Sequence, residues 1–170
     1  MVIEGFQLLA DVNAKILILG TMPSVKSLDK QQYYGNSQNV FWRIMEALFN
    51  EESCLEYEQK KELLMSRHIA LWDVLKFCER QGSLDASIKK ETMEANDFVT
   101  LFAKLPKLTH VFFNGAMAES CFKKSVFPFV QELYPTISYL KLPSTSPAYA
   151  AMRFEDKLRA WMVISECVSC

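Results

Sequence analysis

Lys15-Ile16-Leu17-Ile18-Leu19 runs without interruption into Gly20-Thr21-Met22-Pro23-Ser24. An unbroken apolar run of that length, stopped by Gly and Pro, reads as a strand buried on both faces, the pattern of a parallel sheet. Ile69 to Trp72, His110 to Phe113 and Ile137 to Leu142 share this character, giving four expected buried strands. Helical periodicity lies between and after them. Phe41, Ile44, Met45 and Leu48 fall on one face, with Asn39 a candidate N-cap. Leu55 to Met65 and Asn96 to Leu105 follow, the latter closed by Pro106. Arg153 to Val163 ends the pattern, with Phe154, Leu158, Trp161 and Met162 expected inward. Strands alternating with helices imply a three-layer α/β/α sandwich around a central four-stranded parallel sheet, as one domain over residues 1–170.

In open α/β sheets ligands bind beyond the carboxyl ends of the strands. Two loops qualify: Gly20 to Ser24, and Leu142-Pro143-Ser144-Thr145-Ser146-Pro147-Ala148. Near the first stands a polar-aromatic cluster, Tyr33-Tyr34-Gly35-Asn36-Ser37-Gln38-Asn39-Val40-Phe41-Trp42. The Pro/Ser/Thr loop is either a rigid turn or a hydroxyl-bearing cradle for phosphate oxygens. Asn39 is either a helix cap or a functional amide. Tyr34 sits where a flat ring can face a ligand, whereas Phe41 and Trp42 begin an amphipathic helix and belong in the core.

Bulk properties narrow the field. A chain of 170 residues, half of them hydrophobic, can bury a normal core. No apolar run is long enough to span a membrane and no secretory leader is evident, so the expectation is a cytoplasmic protein. Five cysteines, an odd number, do not form a disulfide framework. Only Cys167 and Cys170 have C-x-x-C spacing, without a second pair, and no metal site is expected. His68 and His110 read as core or strand-edge residues. A net charge of −1 argues against an extended nucleic-acid surface but leaves room for a compact one. Lys123, Lys124, Lys141 and Arg153 are either solvated surface or part of such a face. No dinucleotide fingerprint, phosphate-binding loop or nucleophile elbow is present.

In order, Gly20 to Ser24, Tyr33-Tyr34-Gly35, Asn39-Val40-Phe41-Trp42, Leu71-Trp72-Asp73-Val74, Gly82-Ser83-Leu84-Asp85 and Pro143 to Ala148 resemble the uracil-DNA glycosylase superfamily. Within it they are most similar to the hypoxanthine-DNA glycosylase branch. The resemblance implies hydrolysis of the N-glycosidic bond of a deaminated base, hypoxanthine first, in base excision repair. The nucleotide would be flipped out of single- or double-stranded DNA, because the bond is unreachable inside a duplex. It makes Asn39 the catalytic residue and Tyr34 the stacking ring. Thr21, Met22 and Asp73 join Tyr34 in the base pocket. Asp73 either accepts from N1–H of hypoxanthine or caps the following turn. Ser24, Ser144, Thr145 and Ser146 would meet phosphates. It implies no cofactor, no lyase step, no membrane association and a monomer. Two positions depart from uracil-specific members: Met22 stands where they carry Asp, Glu or Asn, and Leu142 where many carry His. A mismatch-specific uracil glycosylase and a catalytically inactive DNA-binding module of this fold therefore stay open as alternatives. Tyr149 and Met152 are candidates for filling the gap left in the duplex.

Overall fold

The computed structural model describes residues 1–51 and 54–169. Along the chain run β1 (Val2–Glu4), β2 (Ile16–Gly20), α1 (Val25–Lys30), α2 (Phe41–Leu48), α3 (Tyr57–Ser66), β3 (Ile69–Asp73) and β4 (Leu75–Glu79). Then come β5 (Glu94–Ala95), α4 (Phe98–Lys104), β6 (His110–Asn114), α5 (Ala116–Ser125), α6 (Phe127–Val130), β7 (Ser138–Leu142) and α7 (Phe154–Val168). The central sheet has the order β3-β2-β6-β7 with every pair parallel.

All of β2 is buried, and its alternation distributes side chains to both layers. Leu17 and Leu19, with Val111 and Phe113, pack toward Phe98 and Phe102 of α4 and Phe122 of α5. Ile16 and Ile18, with Phe112, pack toward Phe41 and Ile44 of α2, Leu64 of α3 and Trp161 of α7. Each aliphatic side chain so buried contributes about 1.5–3 kcal/mol. The three-layer expectation holds.

Parallel pairing brings the carboxyl ends of four strands to one rim: Gly20 pairs with Asp73, and Asn114 with Leu142. After β2 the chain first lays β3 on one side and later β6 on the other. The rim between β2 and β6 is thus a topological switch point, where loops diverge and leave a crevice.

Several expectations need correction. β7 is an edge strand, and only Leu142 of it is buried. A small antiparallel sheet, β1-β4-β5, was not expected. Neither were α1, α5 and α6. Helix α3 starts at Tyr57 because Glu56 and Gln59 form a capping box. Helix α4 starts at Phe98 because the Asp97 side chain accepts from Thr100 N. Met162 is 47% exposed and faces away from the core, whereas Lys157, Trp161 and Ile164 face inward. Val40, not Asn39, is the N-cap residue of α2. Cys170 of the C-x-x-C spacing lies outside the described residues. Among the described residues no helix is long and apolar enough to cross a membrane, and no His/Cys/Asp/Glu group has the arrangement of a metal site.

Candidate active site

A cleft of about 440 Å³ opens at the carboxyl rim of the central sheet. Thr21, Met22, Ser24, Tyr34, Asn39, Asp73, Ser144, Thr145 and Ser146 all line it. The candidates scattered over the sequence therefore share one site. Lys123, Lys124, Lys141 and Arg153 do not line it; Lys123 pairs with Glu119 at 3.4 Å and Arg153 with Asp156 at 3.2 Å.

The loop after β2 is folded back by hydroxyls. Ser24 Oγ accepts from Ser27 N at 3.1 Å and donates to Ser27 Oγ at 3.0 Å, capping α1. Ser27 Oγ in turn accepts from Gly35 N at 3.0 Å. This chain ties the first loop to the turn that presents Tyr34. Tyr34 has φ of 52°, a left-handed backbone that a bulky side chain rarely adopts. Its ring stacks on Phe41 with centroids 4.1 Å apart and planes inclined by 23°. Neighbouring Tyr33 turns inward instead, donating from its hydroxyl to Gln7 O at 2.6 Å, while Trp42 Nε1–H donates to Tyr33 O at 2.7 Å.

Asn39 Oδ1 accepts from Phe41 N at 3.0 Å. The carboxamide is anchored through its oxygen, an Asx turn ahead of the helix, rather than through its NH₂ group. The next residue, Val40, donates from its N–H to Thr145 O at 3.1 Å, joining this turn to the loop after β7.

Asp73 closes β3 and is 5% exposed, with Oδ2 lacking a hydrogen-bond partner. Its backbone carbonyl accepts from Asn96 Nδ2 at 2.8 Å. Burial, reinforced by the nearby Asp85 carboxylate and opposed by Arg80, pushes the Asp73 carboxyl up to about 7. Burial also raises Asp85, against a hydrogen bond from the Thr21 side chain and the field of Arg80. Burial and the charge of Asp73 raise the Tyr34 hydroxyl far above its ordinary range, so it stays protonated.

Four residues outside the sequence-level candidates complete the site. Asn114, at the end of β6, donates from Nδ2 to Tyr34 Oη at 3.1 Å and to Thr145 Oγ1 at 2.9 Å, and accepts from Thr145 N at 2.9 Å. Thr145 is only 1% exposed. Its hydroxyl and N–H are engaged behind the cleft wall, so it is a strut between rim loops rather than an outward contact. Arg80 is 2% exposed. It donates from Nε to Gly82 O at 2.8 Å and from Nη2 to Pro23 O, clamping the first loop from below. From α7, Lys157 Nζ donates to Tyr149 O at 2.8 Å and Trp161 Nε1 to Pro143 O at 2.9 Å, pinning both ends of the loop after β7. Asn114 had a legible signal, a polar residue and Gly115 ending an apolar run. Arg80, Lys157 and Trp161 had none, because each acts on a loop remote in sequence.

The chain matches the uracil DNA glycosylase superfamily over residues 6–164. A protein of Methanosarcina acetivorans named hypoxanthine DNA glycosylase is 44% identical over 119 residues, covering 69% of this chain and 74% of the relative. A Methanosarcina barkeri protein of the same name is 41% identical over 113 residues, covering 66% and 70%. The solution NMR structure of a candidate uracil DNA glycosylase from Methanosarcina acetivorans superposes with a TM-score of 0.83 at 34% identity, covering 100% of both chains.

Proposed function

The chain belongs to the uracil DNA glycosylase superfamily, and from that premise we propose that it is a monofunctional DNA glycosylase releasing hypoxanthine from DNA. The substrate is single- or double-stranded DNA bearing a deaminated base, the enzyme acts as a cytoplasmic monomer, and the relatives named hypoxanthine DNA glycosylase support the choice of base. The observation that carries the reading is the convergence of Asn39, Tyr34 and Asp73 on one cleft at the sheet's carboxyl rim.

Breaking the N-glycosidic bond sends its electron pair to the departing purine and builds oxocarbenium character on the sugar. Water then captures C1′, and the proton it loses neutralises the purine anion. A neutral amide suits that step, because it orients water without having to deprotonate it. Asn39 Oδ1 is fixed by Phe41 N–H and keeps a second lone pair for the water. Met22 and Leu142 supply neither a base nor a charged donor, so much of the acceleration comes from positioning and from the DNA phosphates near the cationic sugar. Tyr34 stacks on the extruded base, with Thr21 and Met22 completing the pocket wall. Asp73, ionised, accepts from N1–H. Ser24, Ser144 and Ser146 lie on the rim where phosphates flanking the flipped nucleotide pass, while Thr145 holds their loop. Among the described residues no lysine lines the cleft, which favours water over an amine nucleophile.

The test is single-turnover base release from matched duplexes carrying deoxyinosine or deoxyuridine, with abasic sites cut by alkali. Hypoxanthine release that falls at least about 100-fold in Asn39→Ala is expected from loss of water positioning. Release of uracil in preference to hypoxanthine refutes the choice of base, and folded protein that releases neither refutes catalysis.

A further inference from the structure

The loop between β4 and β5 turns at Gly82, whose φ of 69° favours glycine, and carries Leu84 to the mouth of the cleft. Leu84 is 56% exposed, more than any other large apolar residue that lines the cleft. A lone exposed leucine is ordinary on a protein surface; this one is tethered on both sides. Before it, Gly82 O accepts from Arg80 Nε at 2.8 Å, and Ser83 Oγ accepts from Val25 N at 3.0 Å. After it, the half-buried Asp85 takes a hydrogen bond from the Thr21 side chain, and Ile88 is buried. Leu84 O itself accepts from Ser87 N at 3.0 Å. The backbone is thus fixed while the isobutyl group stands largely in solvent. Val25 follows Ser24, so the same tether sets the tip beside a position assigned above to a flanking phosphate.

We infer that Leu84 is the wedge that enters the base stack beside the extruded nucleotide, acting from the loop between β4 and β5 rather than from the loop after β7. This rests on the glycosylase reading above and adds to it the residue that acts on the duplex. A nucleotide that enters the cleft leaves its neighbours and the opposite base unstacked at the cleft mouth. An apolar side chain replaces part of the lost stacking and brings no polar atom in need of a partner, and leucine is among the residues that open duplexes in this way. A wedge must not retreat. The tethers at Gly82, Ser83 and Asp85 order the tip before DNA arrives, so little is lost in ordering it on binding. The opposite wall is less suited. Tyr149 lines the cleft, but its ring centroid lies 5.3 Å from Lys157 Nζ and its carbonyl accepts from the same ammonium at 2.8 Å. Met152 does not line the cleft. Leu84 is therefore a positioning residue: it meets the neighbours of the target and not the reacting atoms. A single strand has no paired stack to hold open and does not need it.

The experiment compares the full wild-type chain with Leu84→Ala in single-turnover release of hypoxanthine. The substrates are a duplex with deoxyinosine opposite thymidine and the same strand unpaired. Because Leu84 is exposed, the variant should melt within about 2 °C of wild type. Release from the duplex is expected to slow at least about tenfold, the effect of losing a buried isobutyl group, while release from the single strand changes by less than about twofold. Leu84→Met keeps an apolar chain of similar reach and is expected to stay within about threefold of wild type on the duplex. A pyrene nucleotide opposite the deoxyinosine fills the gap itself and should return Leu84→Ala to within about threefold of wild type. A readout free of catalysis places 2-aminopurine next to an uncleavable 2′-fluoroarabino deoxyinosine. Saturating wild type should raise its fluorescence by unstacking it, and Leu84→Ala by less than about half as much. Equal slowing of both substrates, or no slowing on the duplex, would overturn the inference, as would the same fluorescence rise in both proteins. Failure of the parent reading is separate: wild type that releases no hypoxanthine loses the substrate assignment. The wedge is then decided by the fluorescence difference on uncleavable deoxyinosine and deoxyuridine duplexes, where a difference on either keeps it and none on both overturns it.

Discussion

Replacing Asp73 by Asn removes a cleft carboxyl whose titration burial pushes up to about 7, and its consequence for stability has a definite sign. The folded protein holds this proton up to about pH 7, whereas an unfolded chain releases it near 3.8. Between those values the native state binds more protons than the unfolded state, so stability falls as pH rises through the window. It is level below about 4 and again above about 7. At about 1.4 kcal/mol per pH unit the gap amounts to about 4 kcal/mol, lost on raising pH from 4 to 8. An amide of the same shape does not titrate, so Asp73→Asn escapes that loss while keeping the fixed, pH-independent effect of an imperfectly paired polar group. Asp85 and Arg80 face the same carboxyl. The Asp85 acid becomes easier to ionise once its neighbour is neutral, which trims the difference without reversing it. Urea denaturation followed by tryptophan fluorescence at pH 4.5 and pH 8 measures the quantity directly. The stability of the variant relative to wild type is expected to rise by roughly 2–4 kcal/mol between the two pH values. A relative stability that stays constant within about 0.5 kcal/mol, the error of such comparisons, would refute the reasoning and mean that the carboxylate is ionised throughout.

Three further outcomes follow from the same geometry. Hypoxanthine release should climb with pH to a plateau above about 7, as Asp73 becomes the acceptor for N1–H against the opposing fields of Asp85 and Arg80; single-turnover rates between pH 5.5 and 9 give the profile, and a flat one contradicts it. Asn114→Ala strands Thr145 N–H and its hydroxyl behind the cleft wall; a loss of about 2–3 kcal/mol should lower the melting temperature by roughly 5–10 °C. Lys157→Met keeps the aliphatic packing but frees Tyr149 O; proteolysis should nick the segment between Pro143 and Met152 faster, while the melting temperature falls by less than in Asn114→Ala.

The central sheet was legible because burial on both faces leaves Ile16 to Leu19 no polar position to interrupt the run. β7 was legible only through its place before the Pro/Ser/Thr loop, since an edge strand carries no such signature. The small sheet was not legible at all: three residues in β1 and two in β5 are too few to display a period. In the site, Asn39 and Tyr34 could be singled out from polar or aromatic character in a turn, whereas Asp73 was reached only through the family resemblance. Arg80 could not, because in sequence it is one charge among Glu79, Gln81 and Gly82. Its meaning comes from Pro23, 57 positions away. Tyr34 and Asn114 meet across 80 positions. Local pattern finds the residues that face a ligand; the residues that hold those in place appear only once the chain is folded.

Met22 is the position where the departure from uracil-specific relatives has a physical explanation. A side chain here lines the same cleft as Asp73 and is itself largely buried. Asp73 already shares its surroundings with Asp85, and that like charge is the second largest cause of its raised titration. A further carboxylate at position 22 would help a water-activating mechanism but would oppose ionisation of Asp73 again. A cleft this small does not hold three neighbouring carboxylates ionised at neutral pH. If Asp73 must be the acceptor for a lactam N–H, an apolar residue at 22 is what keeps it available, and water positioning passes to the uncharged Asn39. Met22→Asp tests this trade. The midpoint of the pH–rate profile for hypoxanthine release should move up by about one pH unit, the effect of a close like charge, so the variant is slower than wild type at pH 7 and recovers near pH 9. A variant that releases hypoxanthine faster at pH 7 with an unmoved midpoint would show that the two positions are electrostatically independent. Met22 would then be no more than pocket lining.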